Sequence, residues 1–283
     1  MNPRTYGASV LRRSGSSFGP AVHLVPRARR WALEAIYAAC REMDDVADGA
    51  GTEKARRMEL ASWSEELRAA AGGIVPAGAR PAVVAVHEAA REFGVDLRHF
   101  QDLLDGLKGD VKVIRVRTAS ALMEYCDRVA GAVGLLCLPV FGVREKAGAP
   151  YGIALGRGLQ LTNVLRDLAS DLRRDRIYVP SEERTAFGIP NGSWERGDPG
   201  AGFDDLLAFQ VLRARAYLRR AAEIRDRLPT TDRRALRPAE AMRRAYEPVL
   251  SAVERAGRSL LVRRPAVSRW RRVLLASGAM LGR

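Results

Sequence analysis

Apolar residues recur every three or four positions along most of the chain, and this spacing predicts helices. The predicted helices span residues 27–47, 53–71, 81–93, 96–107, 118–141, 150–173, 202–228, 232–236 and 238–257. No alternating pattern of useful length predicts a strand. Residues 178–202 are the longest stretch without a pattern of their own, which indicates a connector or a mobile lid. Because neither a composition shift nor an internal repeat divides the chain, we expect one all-α domain over residues 1–283.

The first predicted helix carries polar residues on a face where an apolar stripe would be expected. On a helical projection of about 100° per residue, an arc of about 60° contains Tyr37, Arg41, Asp44 and Asp48. Charged groups persist inside a helical bundle only when they are paired or bound to a metal, so this face is a candidate site. The alternative is a solvated face on which Arg41 pairs with Asp44 or Asp45.

The helix predicted over 150–173 repeats this arrangement. An arc of about 80° on the same projection contains Gln160, Asn163, Asp167 and Asp171. Asparagine is a weak helix former, so its position in register with two aspartates suggests oxygen ligands. Hard cations such as Mg²⁺ prefer oxygen ligands and bind carboxylates together with substrate phosphates. Two such faces opposite each other therefore predict a site for Mg²⁺ and a diphosphate.

The formal net charge of the chain is +14, and almost all of its basic residues are arginine. This excess reflects either a codon bias or an anionic partner, such as nucleic acid, a phosphorylated substrate or an acidic membrane. A nucleic-acid binder would interleave basic and aromatic residues on one exposed face. Here the arginines are spread over all the helices and aromatic residues make up only 6% of the chain. We therefore expect no nucleic-acid partner.

The remaining composition indicates a cytoplasmic protein. The cysteines, Cys40, Cys126 and Cys137, form no CxxC pair and resemble small buried hydrophobic residues of a reducing compartment. No apolar run is long enough to span a membrane, and the N-terminal residues lack the apolar core of a signal peptide. Residues 258–283 mix basic and apolar side chains with Trp270, which indicates either peripheral contact with an anionic membrane or a helix packed on the bundle.

Several segments, taken in order, resemble motifs of the squalene/phytoene synthase family. They are SGSSF (14–18), AIYAACREMDDVAD (35–48), YCDRVAGAVG (125–134), LQLTNVLRDLASDLRRDRIYVP (159–180) and AYEPVLSAVERAG with the RR that follows it. The resemblance covers nearly the whole chain and implies an isoprenoid-synthase-type helical bundle with a central substrate cavity. Two positions depart from the family pattern, Gly19 and Asp127.

The resemblance also implies roles for individual residues. The implied magnesium ligands are Asp44, Asp48, Asp167 and Asp171. The implied catalytic residues are Tyr37, Tyr125, Arg41 and Arg166. The implied substrate contacts are Ser14, Ser17, Phe18, Arg41, Gln160, Asn163, Arg166, Tyr178 and Arg264. Mg²⁺ is the implied cofactor, for which Mn²⁺ can substitute.

The implied reaction is the head-to-head (1'-1) condensation of two prenyl diphosphates. The residues of these motifs are most similar to those of bacterial family members from hopanoid pathways, which make presqualene diphosphate from two farnesyl diphosphates. NADPH would be needed only if squalene is the product. The alternatives are phytoene formation from two geranylgeranyl diphosphates and a non-catalytic partner subunit, which would be expected to lose carboxylates that this chain keeps. Gly131, Ala132 and Gly134 leave room either for long prenyl chains or for close helix packing.

Overall fold

The protein is represented by a computed structural model that describes residues 2–14 and 19–265. The α-helices are α1 (Pro3–Ser14), α2 (Gly19–Val22), α3 (Arg27–Asp48), α4 (Glu53–Ala71), α5 (Pro81–Phe93), α6 (His99–Asp110), α7 (Ala119–Cys126), α8 (Ala132–Phe141), α9 (Glu145–Arg166), α10 (Leu168–Leu172), α11 (Ser181–Ala186), α12 (Phe203–Arg227), α13 (Thr230–Ala235) and α14 (Arg237–Ala256). A π-helix (Asp127–Gly131), two 3₁₀ helices (Trp194–Arg196 and Gly257–Leu261) and two short strands, β1 (Ile114–Arg115) and β2 (Arg176–Ile177), complete the elements. The predicted all-α class is confirmed.

Local signals explain why α4 and α5 begin and end where the sequence predicts. The Thr52 side chain accepts a hydrogen bond from the Ala55 N–H at 3.2 Å and caps α4. Pro81 occupies the first turn of α5, where its missing N–H costs nothing. Gly94 ends α5 in the left-handed conformation, with φ of 73°. These ends depend on short-range chemistry that can be read from the sequence.

The helix predicted over 150–173 starts earlier than predicted and is broken within its length. α9 begins at Glu145, and Pro150 lies in its second turn, where it removes one hydrogen bond near the helix end and leaves the helix centre intact. The helix is interrupted at Asp167, which has φ of −101° and ψ of 9°, and resumes as α10. Aspartate is a weak helix former, and here its side chain accepts hydrogen bonds from Arg166. The second aspartate pair therefore spans a helix break.

Other predicted boundaries also need correction. Helix α1 has only two buried residues and so gives a weak apolar pattern, which is why the sequence did not predict it. The helix predicted over 96–107 begins later, because Asp96 accepts the backbone N–H of Arg98 at 3.0 Å and holds a turn there. The helix predicted over 118–141 contains the π-helix, and residues 178–202 contain α11 and a 3₁₀ turn.

The two strands form a parallel pair of two residues each. Ile114 lies opposite Arg176, and Arg115 lies opposite Ile177. Two residues are too few to show an alternating pattern, which explains why the sequence predicted no strand. The pair joins the segment after α6 to the segment after α10, so it brings two distant parts of the chain to the same wall of the bundle.

The apolar side chains form two main clusters. One cluster lies among α3, α4, α5, α6 and α8, and Trp63 and Phe100 are among its largest fully buried side chains. The other lies among α9, α12 and α14 and includes Tyr151 and Phe203. Helix α9 packs most extensively against α12 and also contacts α8, the π-helix and α14.

Glycines allow α9 to approach both α8 and the π-helix closely. A Cβ added at Gly134 would lie 2.7 Å from the carbonyl oxygen of Gly152, and one at Gly156 would lie 2.7 Å from the backbone of Ala130. No side chain fits in such a space, so at Gly134 the structure favours close helix packing over room for a substrate. Within residues 2–14 and 19–265, no helix has the length and apolar character needed to cross a membrane.

Candidate active site

The polar face of α3 opens onto a cavity. Asp44 and Asp48 line it together with Arg41, and all three side chains are accessible to the solvent within it. The Arg41 guanidinium donates to Asp45 at 2.6 Å, as the solvated-face alternative predicted. Asp44 and Asp48 nevertheless line the cavity. The alternative is therefore right about the pairing of Arg41 with Asp45 but does not account for the other two aspartates.

The polar face of α9 and α10 lines the same cavity and is half-buried. Gln160, Asn163, Asp167 and Asp171 all contribute to the lining. The amide nitrogen of Asn163 donates to the Oε1 atom of Gln160 at 3.4 Å. The Oδ1 atom of Asn163 is buried and accepts no hydrogen bond from residues 2–14 and 19–265. A buried acceptor without a donor is costly, so this oxygen is available to a cation or a hydrogen-bond donor that enters the cavity.

The cavity has a polar part and an apolar part. The polar part has a volume of about 550 Å³ and is lined by both aspartate pairs. An adjoining pocket of about 300 Å³ shares Arg41, Asp44, Asp110, Tyr125 and Gln160 with it. The other residues of this pocket are apolar or aromatic, namely Tyr37, Cys40, Leu103, Leu107, Val129 and Val133.

Each aspartate pair contains one carboxylate that is paired with arginines. Asp48 accepts hydrogen bonds from Arg176, at 2.7 Å, and from Arg174. Asp167 accepts them from Arg166, at 3.0 Å, and from Arg264, at 2.7 Å. Burial alone would raise the pKa of Asp48, but the hydrogen bonds from Arg176 and Arg174 outweigh it and hold the pKa below the usual range.

The other member of each pair lacks such a partner. Among the described residues, neither Asp44 nor Asp171 forms an ion pair. Enclosure by the protein and the charge of Asp48 raise the pKa of Asp44 to about 6. Enclosure and the charge of Asp167 raise the pKa of Asp171 to about 7. Arg41 and Arg176 act on Asp44 in the opposite direction, as Arg176 and Arg174 do on Asp171, but they do not cancel the rise. A bound cation would relieve the repulsion that remains within each pair.

A hard divalent cation fits the residues that are present. The four aspartates and Asn163 offer only oxygen atoms, which are the donors that such ions prefer. Within the described residues, no group of three acidic, histidine or cysteine side chains is close enough to form a metal site by itself. The two pairs instead face a shared space, so a cation held there would complete its coordination with water or with substrate oxygens.

The structure adds residues that the sequence did not single out. Arg174 and Arg176 line the cavity, and no role was predicted from the sequence for either arginine. Asp110 lines both cavities and is buried, with 6% of its surface exposed. A signal for Asp110 was available, because it continues the helical face of Leu103 and Leu107.

Asp110 connects two tyrosines. Its Oδ2 atom accepts a hydrogen bond from the Tyr125 hydroxyl at 3.0 Å, and its Oδ1 atom accepts one from the Tyr178 hydroxyl at 2.8 Å. The two rings stack, with centroids 4.7 Å apart. Burial raises the pKa of Asp110 to about 6, although the two hydroxyls and Arg176 act in the opposite direction.

The N-terminal residues give a different outcome. Ser14 ends α1 and donates its hydroxyl to the carbonyl of Leu11 at 2.8 Å. It is not among the described residues that line either cavity. Ser17 and Phe18 lie outside the described residues, as does Trp270 of the basic C-terminal stretch. The departure at Asp127 forms a bidentate ion pair with Arg157 at 2.6 Å.

Comparison with protein families gives a direct result. A family model described as squalene/phytoene synthase matches residues 11–271. The chain belongs to the squalene/phytoene synthase family. It is therefore a prenyl transferase of the kind that condenses prenyl diphosphates head to head. Members of this family generally use a divalent metal, which agrees with the oxygen-rich cavity.

Two characterised kinds of enzyme are similar to this squalene/phytoene synthase family member. A presqualene diphosphate synthase of Rhodopseudomonas palustris is 35% identical over 237 residues, which cover 83% of this chain and 82% of that enzyme. A phytoene synthase of Mycobacterium tuberculosis is 32% identical over 275 residues, which cover 96% of this chain and 88% of that enzyme. The two similarities are of comparable strength.

Solved structures share the fold. A dehydrosqualene synthase in complex with a ligand superposes with a TM-score of 0.84 at 26% identity and covers 99% of this chain and 96% of its own. A squalene synthase from Alicyclobacillus acidocaldarius gives a TM-score of 0.80 at 27% identity and covers 90% of this chain and 94% of its own. The arrangement of helices around the cavity is thus the family fold.

Proposed function

We propose that this enzyme condenses two farnesyl diphosphates to presqualene diphosphate, with Mg²⁺ as its cofactor. The observation that carries the proposal is the pair of aspartate faces, on α3 and on α9–α10, that line one polar cavity beside an apolar pocket. A diphosphate needs cations and hydrogen-bond donors, whereas a prenyl tail needs an apolar lining. The polar cavity suits the diphosphate, and the apolar pocket beside it suits the prenyl tail that is attached to it.

The first step is the loss of diphosphate from one substrate. The allylic C–O bond breaks, and the diphosphate leaves with the bonding electrons. Arg41 and Arg166 line the polar cavity, and we infer that they stabilise the charge that builds up on the leaving group. Mg²⁺ held by the four aspartates would add Lewis-acid assistance to the same charge. Mn²⁺ has the same ligand preference and is expected to substitute.

The second step joins the two chains. The double bond of the second substrate donates its electrons to the allylic cation, and loss of a proton closes a cyclopropane ring. Tyr37 and Tyr125 line the apolar pocket, and we infer that their ring faces stabilise the cation. The apolar lining also limits access of water, which would convert the cation into an alcohol.

The assignment of farnesyl chains is supported by the similarity to presqualene diphosphate synthases. The second candidate is phytoene formation from two geranylgeranyl diphosphates, which the phytoene synthase relatives support over 96% of the chain. If the reaction continues to squalene, the reductive step needs NADPH as hydride donor. A non-catalytic partner subunit is disfavoured, because all four aspartates line the cavity.

The test is incubation of the purified protein with Mg²⁺ and either farnesyl or geranylgeranyl diphosphate, with and without NADPH. Mass analysis of the lipid extract should reveal presqualene diphosphate from the C15 substrate. Phytoene from the C20 substrate would assign the second candidate, and squalene formed only with NADPH would extend the reaction. Absence of any coupled product from both substrates would refute the proposed function.

We also propose peripheral contact with an anionic membrane, supported by the basic sequence of residues 258–283. Arg258 and Arg263 are exposed at the start of this stretch. Vesicles that contain anionic lipid should therefore co-sediment the protein at low salt and less so at high salt. Equal sedimentation with neutral and anionic vesicles would contradict this contact.

A further inference from the structure

Three side chains form a thin wall between the polar cavity and a second cleft. The cleft has a volume of about 350 Å³ and lies among the end of α6, β1 and the start of the π-helix. Asp110, Tyr125 and Tyr178 line the cleft on one side and the polar cavity on the other. The wall is therefore one side chain thick.

The second cleft is open to solvent. Its rim includes Lys112, Glu124 and Arg128, which are all exposed, and Val113, which is 60% exposed. Asp110 and Tyr125 also line the apolar pocket, which is where the proposed function places the allylic cation. Water that crossed this wall would reach the cation directly.

Asp110 couples the two tyrosines that make up the rest of the wall. Each of its carboxylate oxygens accepts one phenol hydroxyl, so the two stacked rings are tied to a single group. Hydrogen bonds to an ionised acceptor are stronger than those between neutral groups. The three residues come from α6, α7 and the segment after β2, so no local interaction along the chain holds them together.

We propose that Asp110 is a positioning residue that keeps this wall closed against water, an inference that rests on the proposed function. In the leak that it prevents, the allylic C–O bond breaks and diphosphate departs with the bonding electrons. A water oxygen then bonds to the cationic carbon and releases a proton, which yields an allylic alcohol. Asp110 acts through the two tyrosines, and its loss should change how the cation is partitioned between coupling and capture by water.

The experiment uses the full chain, Mg²⁺ and whichever prenyl diphosphate the wild type consumes, in ¹⁸O-enriched water. Alcohol formed by capture of the cation carries the solvent oxygen, whereas alcohol formed by a contaminating phosphatase, which cleaves the P–O bond, does not. In Asp110→Ala, the ratio of labelled alcohol to coupled product should rise by about tenfold or more, because hydrogen bonds between a charged group and two hydroxyls are lost. Asp110→Asn keeps the side-chain volume and one hydrogen-bond acceptor. Its ratio of labelled alcohol to coupled product should lie between those of the wild type and Asp110→Ala.

Gly109 offers a second-site test. It lines the outer cleft and not the polar cavity, it lies in α6, and a Cβ at this position would meet no atom within 4 Å. In the Asp110→Ala background, Gly109→Leu should fill the cleft and lower the labelled alcohol again. Asp105→Ala is the matched control, since Asp105 is exposed, lies on the same helix and lines only the outer cleft. It should leave the product ratio unchanged.

An unchanged ratio in Asp110→Ala, with substrate still consumed, would overturn the proposal and leave the proposed function intact. A raised ratio that Gly109→Leu does not lower would overturn the route through the outer cleft. If Asp110→Ala does not fold, Tyr178→Phe replaces it, because this change removes only one hydroxyl of the wall. The ratio of labelled alcohol to coupled product should then rise by a smaller factor. Failure of the wild type to form any coupled product would instead refute the proposed function itself.

Discussion

The two aspartate faces have the same i, i+4 spacing but lie in different surroundings. Asp44 and Asp48 belong to the uninterrupted helix α3, and both are open to solvent in the cavity. Asp167 forms the break between α9 and α10, Asp171 lies in α10, and both are half-buried. Equal spacing in the sequence therefore does not produce equal local geometry.

The two faces nevertheless have similar electrostatics. In each pair, arginines neutralise one carboxylate, which is Asp48 on α3 and Asp167 at the break. The other carboxylate, Asp44 or Asp171, has a raised pKa and no ion pair among the described residues. The comparison teaches that the position of the arginines, more than the helix geometry, decides which carboxylate is left for a cation.

The largest expected effect is that of removing the metal, which both faces require. EDTA should abolish condensation, and Mg²⁺ or Mn²⁺ should restore it. Zn²⁺ should substitute poorly, because neither face carries a cysteine or histidine. The measurement is the rate of coupled product formed at saturating substrate. An undiminished rate in the presence of EDTA would show that neither aspartate face binds a metal that the reaction needs.

The next effect tests whether the two faces are equally important for the rate. Asp44→Asn and Asp167→Asn each remove one anionic ligand while nearly preserving volume. Each should lower kcat by roughly 10²–10³-fold, as expected when one electrostatic contact to the transition state is lost. Asp175→Asn is the control, since Asp175 is ion-paired to Arg115 outside the cavity. Near wild-type rates in both variants would mean that the aspartates are a surface feature.

A smaller effect should separate the two carboxylates of one helix. Without metal, Asp44→Asn should raise the melting temperature, because it removes a charge whose pKa is raised on folding. Asp48→Asn should lower it, because Arg176 is largely buried and would lose its partner. Each change should amount to about 1 kcal/mol, or about 2–4 °C, since solvent in the cavity screens both groups. Shifts of the same sign would remove the distinction between paired and unpaired carboxylates.

The smallest effect concerns pH. The pKa of Asp44 rises from 3.8 to about 6 on folding, and that of Asp171 rises from 3.8 to about 7. Because these pKa values are raised, the two groups favour the folded state below about pH 4, and this contribution is lost as the pH rises towards about 7. The pKa of Asp48 is lowered on folding, so Asp48 stabilises the folded state at neutral pH, and this contribution is lost only as the solution becomes acidic.

The measurement is the melting temperature of the metal-free protein across this pH range. Asp44→Asn/Asp171→Asn should show a smaller decline between about pH 4 and about 7 than the wild type. Mg²⁺ with pyrophosphate should offset the wild-type decline, because a metal binds the deprotonated carboxylates. Identical pH profiles of the two proteins would contradict the assignment of the raised pKa values to these aspartates.

Much of the candidate site could be predicted from the sequence. Helical periodicity alone identified the faces that carry Asp44, Asp48, Asp167 and Asp171, and the structure brings both faces to one cavity. Asp110 and Arg174 were missed for different reasons. Asp110 looks like the polar end of a helix unless its face is followed from Leu103, and Arg174 lies in a run of charges typical of a solvated surface.

The sequence by itself determined which side chains of α3 share a helix face, because the helical repeat depends only on spacing along the chain. It also determined the ends of α4 and α5 through Thr52, Pro81 and Gly94. Only the tertiary structure decided which arginine neutralises which aspartate, and that Asp110 joins Tyr125 to Tyr178. These contacts link residues that are far apart in sequence and meet only after the helices pack and the two short strands pair. Their pairing depends on distances in the folded chain, which the spacing of residues does not specify.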